Sequence, residues 1–345
     1  MEEQMSDGVS RRDFYKAVAA GALGGLAASS VSSLAAQQRA AEQKPVAPKR
    51  MTTILRELIN GPGIIAAPGI YDPLTARIAE SLGFQVLDLP GSAVGYATAM
   101  MEPNLTLENM AEATRAITSV VNIPVVVDVG AGYGEPAHIL HTVRLLENAG
   151  AAGIHLEDQI FPKRFHYHVG SEHTVPVETV IEKIHYAIEA RRDPDFIIVG
   201  RTDAIRTVGF AEGVRRANLY FEAGADMVMP SHSHTAEQVR QLPKEVNGPI
   251  NWTQSSGAPG EAPIFSLQEL DAMAGSKGRY KLINYVNGPI LASFKAVRDM
   301  LKHLKETGEY GRDPMVDVAI RKDLDATVGL AEYIRIENAT TEKGA

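Results

Sequence analysis

The sequence predicts an α/β domain of the (β/α)8 barrel (TIM) type, followed by an extra C-terminal helix. Three observations carry this prediction. Short apolar runs rich in β-branched residues recur eight times, amphipathic stretches separate them, and many of the runs end in Gly, Pro or an acid. This alternation over about 240 residues is typical of a parallel barrel. An open doubly wound sheet is the alternative, but its dinucleotide glycine pattern is missing.

A signal segment is predicted ahead of the barrel. Arg11 and Arg12, with Phe14 two positions further on, precede a mildly apolar stretch at 17–34 that is rich in Ala and Gly. This order resembles a twin-arginine export signal, so we expect cleavage near Ala35 and a periplasmic location. A disordered tail with a chance Arg pair, or an uncleaved membrane anchor, are the alternatives.

The chain is therefore expected to divide into four parts. They are a signal peptide at 1–36, a linker at 37–50, the barrel at 51–310 and a C-terminal extension at 311–345. The extension is expected to hold one amphipathic helix at 314–338, with no strand left for it to cover. Because such a helix has an apolar face to bury, we expect a homo-oligomer, either a dimer or a tetramer.

The barrel elements follow from local patterns. Asp72 and Thr106 are predicted helix N-caps, and Gly83, Gly150 and Gly224 are predicted helix ends. The predicted strands are 64–67, 86–89, 125–128, 153–157, 196–200, 227–229, 249–252 and 281–285. The predicted helices are 52–60, 72–82, 106–121, 135–149, 176–191, 210–223, 266–274 and 289–307.

Two neighbouring strands lead to a functional prediction. The third strand ends at Asp128, ahead of a Gly-rich turn, and the fourth ends at Glu157. Both acids then lie at strand C-termini, the edge where parallel α/β folds bind ligands. They can hold Mg²⁺ directly or through water. The alternative is that they cap helices or pair with Arg.

Arg201 follows the fifth strand at the same edge. It has no role in packing a barrel and suits bidentate contact with a carboxylate. An ion pair with Glu157 or Asp203 is the alternative. Further polar residues at this edge are Asp72, Gly91, Ser92, Asp158, His232, Asn251 and Thr253.

The stretch 161–173 is long for a connection and is a candidate lid. It carries His166, Tyr167, His168 and His173. Proton transfer or substrate contact by the first three is one interpretation. Zinc binding by the His-x-His pair, or ordinary surface use, are the others.

Composition excludes several classes of function. The net charge is −8, and beyond the N-terminus no cluster of Lys and Arg occurs, which argues against nucleic acid as a partner. The chain has no cysteine, which excludes disulfides, thiolate nucleophiles and Cys-zinc sites. No segment after the signal is long and apolar enough to predict a membrane span.

Several motifs together resemble the isocitrate lyase/phosphoenolpyruvate mutase superfamily. They are the stretches 126–134, 149–159 with 161–164, 200–204 and 223–227. The resemblance covers about residues 52–308 and implies a (β/α)8 barrel, usually tetrameric, often with its last helix exchanged between subunits. It also implies Mg²⁺ and 2-hydroxy- or 2-oxo-carboxylic substrates, whose C–C bonds are cleaved through an enolate or whose C–P bonds are cleaved or rearranged.

The resemblance also implies residue roles. Asn251 and Thr253 match an Asn-x-Thr motif, and Gly91 and Ser92 match the loop that holds the oxo-acid end. Together with Arg201 they are the expected substrate contacts. The expected ligands of Mg²⁺ or Mn²⁺ are Asp128, Glu157 and Glu102.

The chain departs from the superfamily pattern at several reactive positions. Gly130 stands where the metal motif has a second acid, and Ser231 where a glutamate is expected. The lid reads Lys163-Arg164-Phe165-His166, so no Cys can protonate the enolate there. A second arginine is missing at or beside Leu291, which implies a substrate with one carboxylate or a less acidic one.

The sequence thus predicts an exported carbon–carbon lyase for a small 2-hydroxy- or 2-oxo-acid, but not ordinary isocitrate or methylisocitrate cleavage. The acid is expected to bind Arg201, while a metal near Asp128 and Glu157 stabilises an enolate. Oxo-acid decarboxylation and C–P hydrolysis or rearrangement are alternatives. A periplasmic oxo-acid binding protein without catalysis is an alternative of another class.

Overall fold

The computed structural model describes residues 49–169, 173–254, 264–275, 277–311 and 314–341. The predicted signal peptide at 1–36, the linker residues 37–48 and positions 170–172 of the predicted lid lie outside these residues. No helix of the described residues is long and apolar enough to cross a membrane.

Eight parallel strands form one sheet. They are β1 Ile65–Pro68, β2 Leu87–Leu89, β3 Val125–Asp128, β4 Gly153–Glu157, β5 Ile197–Thr202, β6 Met227–Pro230, β7 Gly248–Thr253 and β8 Gly278–Tyr285. The strand order β1-β8-β7-β6-β5-β4-β3-β2 places β1 and β2 at the two ends of the sheet. A bridge between Gly69 and Asp88 joins these ends, with Ile70 N donating to Asp88 O at 2.9 Å. The predicted (β/α)8 barrel is confirmed.

Helices follow the strands along the chain. They are α1 Met51–Asn60, α2 Pro73–Ser81, α3 Gly91–Ala97, α4 Leu107–Thr118, α5 Pro136–Asn148, α6 Val177–Ala190, α7 Ala204–Thr207, α8 Phe210–Glu222, α9 Ala236–Glu245, α10 Leu267–Ala272, α11 Gly288–Thr307, α12 Pro314–Thr327 and α13 Leu330–Ala339. The N-caps predicted at Asp72 and Thr106 are both present as capping boxes. The sequence patterns missed α3, α7 and α9, which are short or lack a continuous apolar stripe.

The side chains of each strand alternate between two apolar layers. Val125 and Val127 belong to the layer between sheet and helices, whereas Val126 belongs to the barrel interior. Leu55 and Ile59 of α1 close the interior at the N-terminal ends of the strands. Because the strand period is two residues, polar side chains in register with the interior positions point into the barrel near its C-terminal rim.

The C-terminal extension corrects one prediction. Instead of one helix at 314–338, it contains α12 and α13, separated where Gly329 adopts a φ of 88° that ends the first helix. Apolar side chains along α11 to α13 stay exposed, namely Leu291, Phe294, Val297, Leu301, Val316, Ile320, Leu324 and Ile334.

Candidate active site

A cavity of about 280 Å³ opens at the C-terminal rim of the barrel. Asp88, Asp128, His155 and Arg201 on four successive strands line it. Each is in register with interior positions of its strand, as Asp128 is with Val126 two residues earlier. The alternation of the strands therefore brings these four polar side chains together.

Arg201 connects three of the acids at this rim. Its Nε and Nη2 donate to Asp203 Oδ1 and Oδ2 at 3.0 and 3.1 Å. Its Nη1 lies 3.1 Å from Glu157 Oε2 and 3.5 Å from Asp128 Oδ2. Burial lowers the pKa of Arg201, but Asp203 and Glu157 raise it more, so the guanidinium stays charged. Arg201 thus both lines the cavity and forms the ion pairs that were its alternative role.

Lys163, from the start of the predicted lid, is the second buried cation. Its Nζ lies 2.5 Å from Glu102 Oε1 and 3.1 Å from Glu157 Oε1. It also lies 4.0 Å from the centre of the Tyr167 ring, a cation–π contact. Burial lowers its pKa, but Glu102 and Glu157 raise it well above the ordinary value. Lys163 therefore ties the lid to two of the predicted metal ligands.

The acids around these cations differ in protonation. Burial raises the pKa of Glu157 to about 7, although Lys163 and Arg201 oppose the rise. Burial also raises the pKa of Asp128, but Arg201 and Lys163 lower it more, so the net shift is downward. Asp128 is therefore the more readily ionised of the two acids, and Glu157 retains its proton to higher pH.

The acids at the rim meet part of what Mg²⁺ requires of its ligands. No group of three or more His, Asp or Glu in the described part of the chain is arranged to hold a metal ion, and Glu102 is held by Lys163. Asp128 is ionised. Glu157 Oε1 is buried and accepts no hydrogen bond, but Lys163 Nζ lies 3.1 Å from it, so a metal ion there would compete with Lys163. A Cβ at Gly130 would lie 3.7 Å from that oxygen. Mg²⁺ commonly takes one or two carboxylates and keeps several waters. Asp128 and Glu157 fit that pattern.

A polar chain forms the floor of the cavity. Asp88 Oδ1 lies 3.7 Å from His155 Nδ1, and Asn284 Nδ2 lies 3.4 Å from His155 Nε2. Burial and then the charge of Asp128 raise the pKa of Asp88 well above its ordinary value. Burial lowers the pKa of His155 to about 4. His155 is therefore neutral at pH 7, and the surroundings of Asp88 favour its protonated form.

The predicted substrate contacts occupy different places. Ser92 and Thr253 line the cavity, while Gly91 lines a small adjoining recess. Asn251 is fully buried, donates to Leu282 O and Asn284 Oδ1 at 2.9 Å, and is not among the cavity-lining residues. Asn251 thus supports the floor instead of contacting the cavity, because its strand position faces β8.

The predicted lid residues lie in different places. Tyr167 and His168 line the cavity from a 3-10 turn at Phe165–Val169, whereas His166 is exposed and outside the lining. Burial raises the pKa of Tyr167 to about 12. Burial also lowers the pKa of His168, whose Nε2 is buried with no hydrogen-bond partner among the described residues. Tyr167 can therefore act as an acid and His168 as a base.

Residues after β5 and β6 complete the wall. Arg206 of α7, Ser231 and His232 line the cavity, with Arg206 Nη2 3.0 Å from His232 Nε2. His232 Nε2 lies 3.4 Å from Asp203 Oδ1.

The sequence patterns did not indicate five residues of the site, which are Lys163, Arg206, Asp88, His155 and Asn284. The alternation of side chains along the strands could have identified Asp88, His155 and Asn284. It could not have identified Lys163 and Arg206, which lie outside the strands.

The chain is similar to one family model and to several known proteins. A family model described as phosphoenolpyruvate phosphomutase matches residues 55–305. The chain is 35% identical over 298 residues to a 2-methylisocitrate lyase of Aeropyrum pernix, covering 86% of this chain and 92% of that protein. A solved 2,3-dimethylmalate lyase matches with a TM-score of 0.76 and 27% identity, covering 86% and 99% of the two chains. A phosphonopyruvate hydrolase solved with oxalate and Mg²⁺ matches with a TM-score of 0.72 and 28% identity, covering 86% and 100%.

Proposed function

We propose a carbon–carbon lyase function for this chain, which belongs to the phosphoenolpyruvate mutase/isocitrate lyase superfamily. The proposed reaction cleaves a small 2-hydroxy- or 2-oxo-carboxylic acid through an enolate. The observation that carries the proposal is the pair of cations placed among acids at the rim. Arg201 lines the large cavity, and Lys163 lines the small recess that adjoins it. Ordinary isocitrate or methylisocitrate cleavage is not proposed, because the lid has no Cys.

The cations supply the electrostatic part of the mechanism. Negative charge develops on the substrate oxygen as the C–C bond breaks and the enolate forms. Arg201 is fixed by two hydrogen bonds to Asp203, so it need not reorganise during the reaction. Preorganised donors in a dry site stabilise such an oxyanion far more strongly than water does.

The lid residues supply the proton transfers. With a 2-hydroxy-acid as substrate, His168, neutral with its Nε2 unbonded to the described residues, takes the proton from the substrate hydroxyl. The C–C bond then breaks to give a carbonyl product and an enolate, and the Tyr167 hydroxyl protonates the enolate carbon. His166 has no part in this scheme because it is exposed.

Mg²⁺, or Mn²⁺, is proposed as the cofactor, held by Asp128 and Glu157 with water completing its shell. When bound, the ion would polarise the substrate oxygen as a Lewis acid. Glu102 would join this set only where Lys163 moves away from it, since the two now form an ion pair.

The reaction is tested by product analysis. NMR on a panel of methylated malates, oxaloacetate and phosphonopyruvate should show C–C cleavage of a malate, and Arg201→Ala should abolish it. Unchanged turnover by Arg201→Ala on every accepted acid would contradict the binding scheme. Release of CO₂ or phosphate instead would favour decarboxylation or C–P hydrolysis, which use the same enolate. A tight ligand without turnover, and no effect of added Mg²⁺, would favour a binding protein.

Export and assembly are proposed from other parts of the chain. The Arg11-Arg12 segment supports export of the folded protein to the periplasm by the twin-arginine pathway. The exposed apolar side chains of α11 to α13 support a homo-oligomer, a tetramer or dimer, since exposed apolar patches of this kind often mark subunit contacts. Light scattering after size exclusion that finds only monomer would remove the second proposal, and activity confined to the cytoplasm would remove the first.

A further inference from the structure

A buried polar network lies behind the rim, between β4, β5 and α8. Asp158 directly follows β4, and its side chain is fully buried. Neither Asp158 nor Arg216 of α8 lines the cavity or the recess, and the mechanism above gives them no role. Four donors converge on the Asp158 carboxylate, namely Thr202 Oγ1 at 2.6 Å, Asp203 N at 2.9 Å, Arg216 Nη1 at 3.1 Å and Tyr220 OH at 3.2 Å.

We propose that Arg216 is a positioning residue for Arg201, acting through Asp158 and Asp203. This inference rests on the proposed lyase function, because it concerns the support of the guanidinium that stabilises the enolate. Arg216 donates to the side chain of Asp158, which also accepts from the backbone N–H of Asp203. The Asp203 side chain in turn accepts two hydrogen bonds from Arg201.

The backbone and the side chain of Asp203 are held separately. Its N–H donates to Asp158 Oδ1, and Gln159 Nε2 donates to its Oδ2. The Thr202 hydroxyl donates to the same Asp158 carboxylate, so two successive residues at the end of β5 are fixed by one side chain. Since Arg201 bonds to Asp203 through Nε and Nη2, a shift of this segment would move the guanidinium.

Arg216 is itself firmly anchored. It is 8% exposed, and Glu212, one turn earlier on α8, accepts from its Nε at 2.9 Å. Its Nη1 also donates to Val175 O at 2.8 Å, and Val175 N donates to Asp158 O at 2.8 Å. The planar guanidinium therefore holds both the Asp158 side chain and a residue that is bonded to the Asp158 backbone.

A role of Arg216 in stability alone is the alternative. Well-packed apolar residues of similar volume often stabilise a protein as well as a buried ion pair does. They could not accept the N–H of Asp203, whereas the Asp158 carboxylate does. Displacement of a catalytic group by about 1 Å can lower a rate by about 10²-fold, so rigid support of Arg201 has a large effect on catalysis.

The first test measures how firmly Arg201 is held. The exchange of its Nε–H with water is followed by NMR on the full chain with isotope-labelled arginine, and the signal is the one that Arg201→Lys removes. Arg216→Met should speed this exchange by at least about tenfold, because Asp203 can then move away from the guanidinium. Arg215→Met is the matched control and should leave the rate within about twofold, since Arg215 is half-exposed and pairs with the same Glu212.

Steady-state kinetics on an accepted acid give the second readout, with rates referred to the amount of folded protein. Arg216→Met should lower kcat by about 10²-fold and leave KM within about threefold, since Arg201 acts on charge that develops during the reaction. Arg216→Lys should recover part of the lost kcat, because an ammonium group can still donate to Asp158. Tyr220→Phe removes only one hydroxyl and should lower kcat by about threefold.

Each outcome bears on the inference. An unchanged exchange rate of the Arg201 Nε–H in Arg216→Met, or a fall in kcat without faster exchange, would overturn it. Should Arg216→Met fail to fold, Arg216→Lys and Tyr220→Phe decide, since both should exchange faster than the parent. Faster exchange in a chain that cleaves no tested acid would contradict only the proposed reaction. Cleavage that Arg201→Ala abolishes and Arg216→Met leaves unchanged would contradict only the positioning role.

Discussion

Two charged clusters lie at opposite ends of the barrel in different surroundings. At the N-terminal end, Arg50 and Arg56 contact three aspartates, Asp193, Asp195 and Asp226, and Arg191 also contacts Asp226. At the C-terminal rim, Lys163 and Arg201 contact four acids, which are Glu102, Asp128, Glu157 and Asp203. The side chain of Arg50 is 61% exposed and that of Arg56 is 27% exposed, whereas Arg201 and Lys163 are each 9% exposed.

The difference shows how burial turns ion pairs into a reactive site. The lower cluster attaches α1 to the barrel, and water screens its charges. At the rim, little water remains, so charges shift one another's proton affinity and the pKa of Glu157 rises to about 7. Pairs of this kind are poor evidence for stability and better evidence for function.

Removing the rim arginine should have the largest effect. Arg201→Met leaves Asp128, Glu157 and Asp203 buried without their shared cation, which should lower the free energy of unfolding by about 3–5 kcal/mol. Turnover should fall by at least about 10³-fold, because the oxyanion loses its fixed donor. Chemical denaturation and product analysis measure the two effects. Arg56→Met at the other end is the control and should leave kcat/KM within about twofold. An equal loss in both variants would contradict the comparison.

The buried histidine at the rim should make stability depend on pH. The pKa of His155 is about 4 in the folded chain and about 6.5 when unfolded, so only the unfolded state binds the proton between these values. Stability is therefore full above pH 6.5 and falls by up to about 3 kcal/mol as pH drops to 4. Chemical denaturation of the parent protein and of the His155→Gln variant across this pH range measures the fall in unfolding free energy. The variant should lose less stability than the parent on acidification. Parallel pH curves would show that His155 is not the cause.

Removing the lid cation should weaken catalysis with less effect on folding. Lys163→Met should lower kcat/KM by about 10²-fold, or about 2.7 kcal/mol. Glu157 must be ionised to hold the proposed metal ion, so the rate should fall at low pH along a limb set by Glu157. Since Lys163 lowers the pKa of Glu157, its loss should move this limb to higher pH. The control is Lys49→Met, whose parent side chain is 61% exposed and pairs with Glu57. A profile with an unmoved limb would contradict this account of Glu157.

The smallest effect is expected at the lower cluster. Thr52 Oγ1 donates a buried hydrogen bond of 2.6 Å to Asp193 Oδ2. Thr52→Val should cost about 1 kcal/mol of unfolding free energy, the usual value for one such bond, with no change in kcat/KM. Thermal unfolding and steady-state rates measure both quantities. A fall in kcat/KM without a fall in stability would show that the two ends are coupled.

The candidate site was only partly predictable. Asp128, Glu157 and Arg201 were selected because strand ends are recognisable in sequence, and they do lie together. The position of Asn251 was not predictable, since whether it faces the cavity or Asn284 depends on the register between β7 and β8, which shifts at Ile250/Asn251. The single C-terminal helix was wrong because Gly329 adopts a left-handed conformation that helical periodicity does not reveal.

By itself, the sequence determined the barrel, the acids and arginine at its rim, and the absence of a thiol on the lid. These follow from local patterns, because strand alternation and helix capping involve residues that are close along the chain. Only the tertiary structure decided that Lys163 reaches Glu102 and Glu157, and that Arg206 lies beside His232. Lys163 and Glu102, like Arg206 and His232, lie in different parts of the sequence, and the geometry of their contacts depends on how the closed sheet brings those parts together.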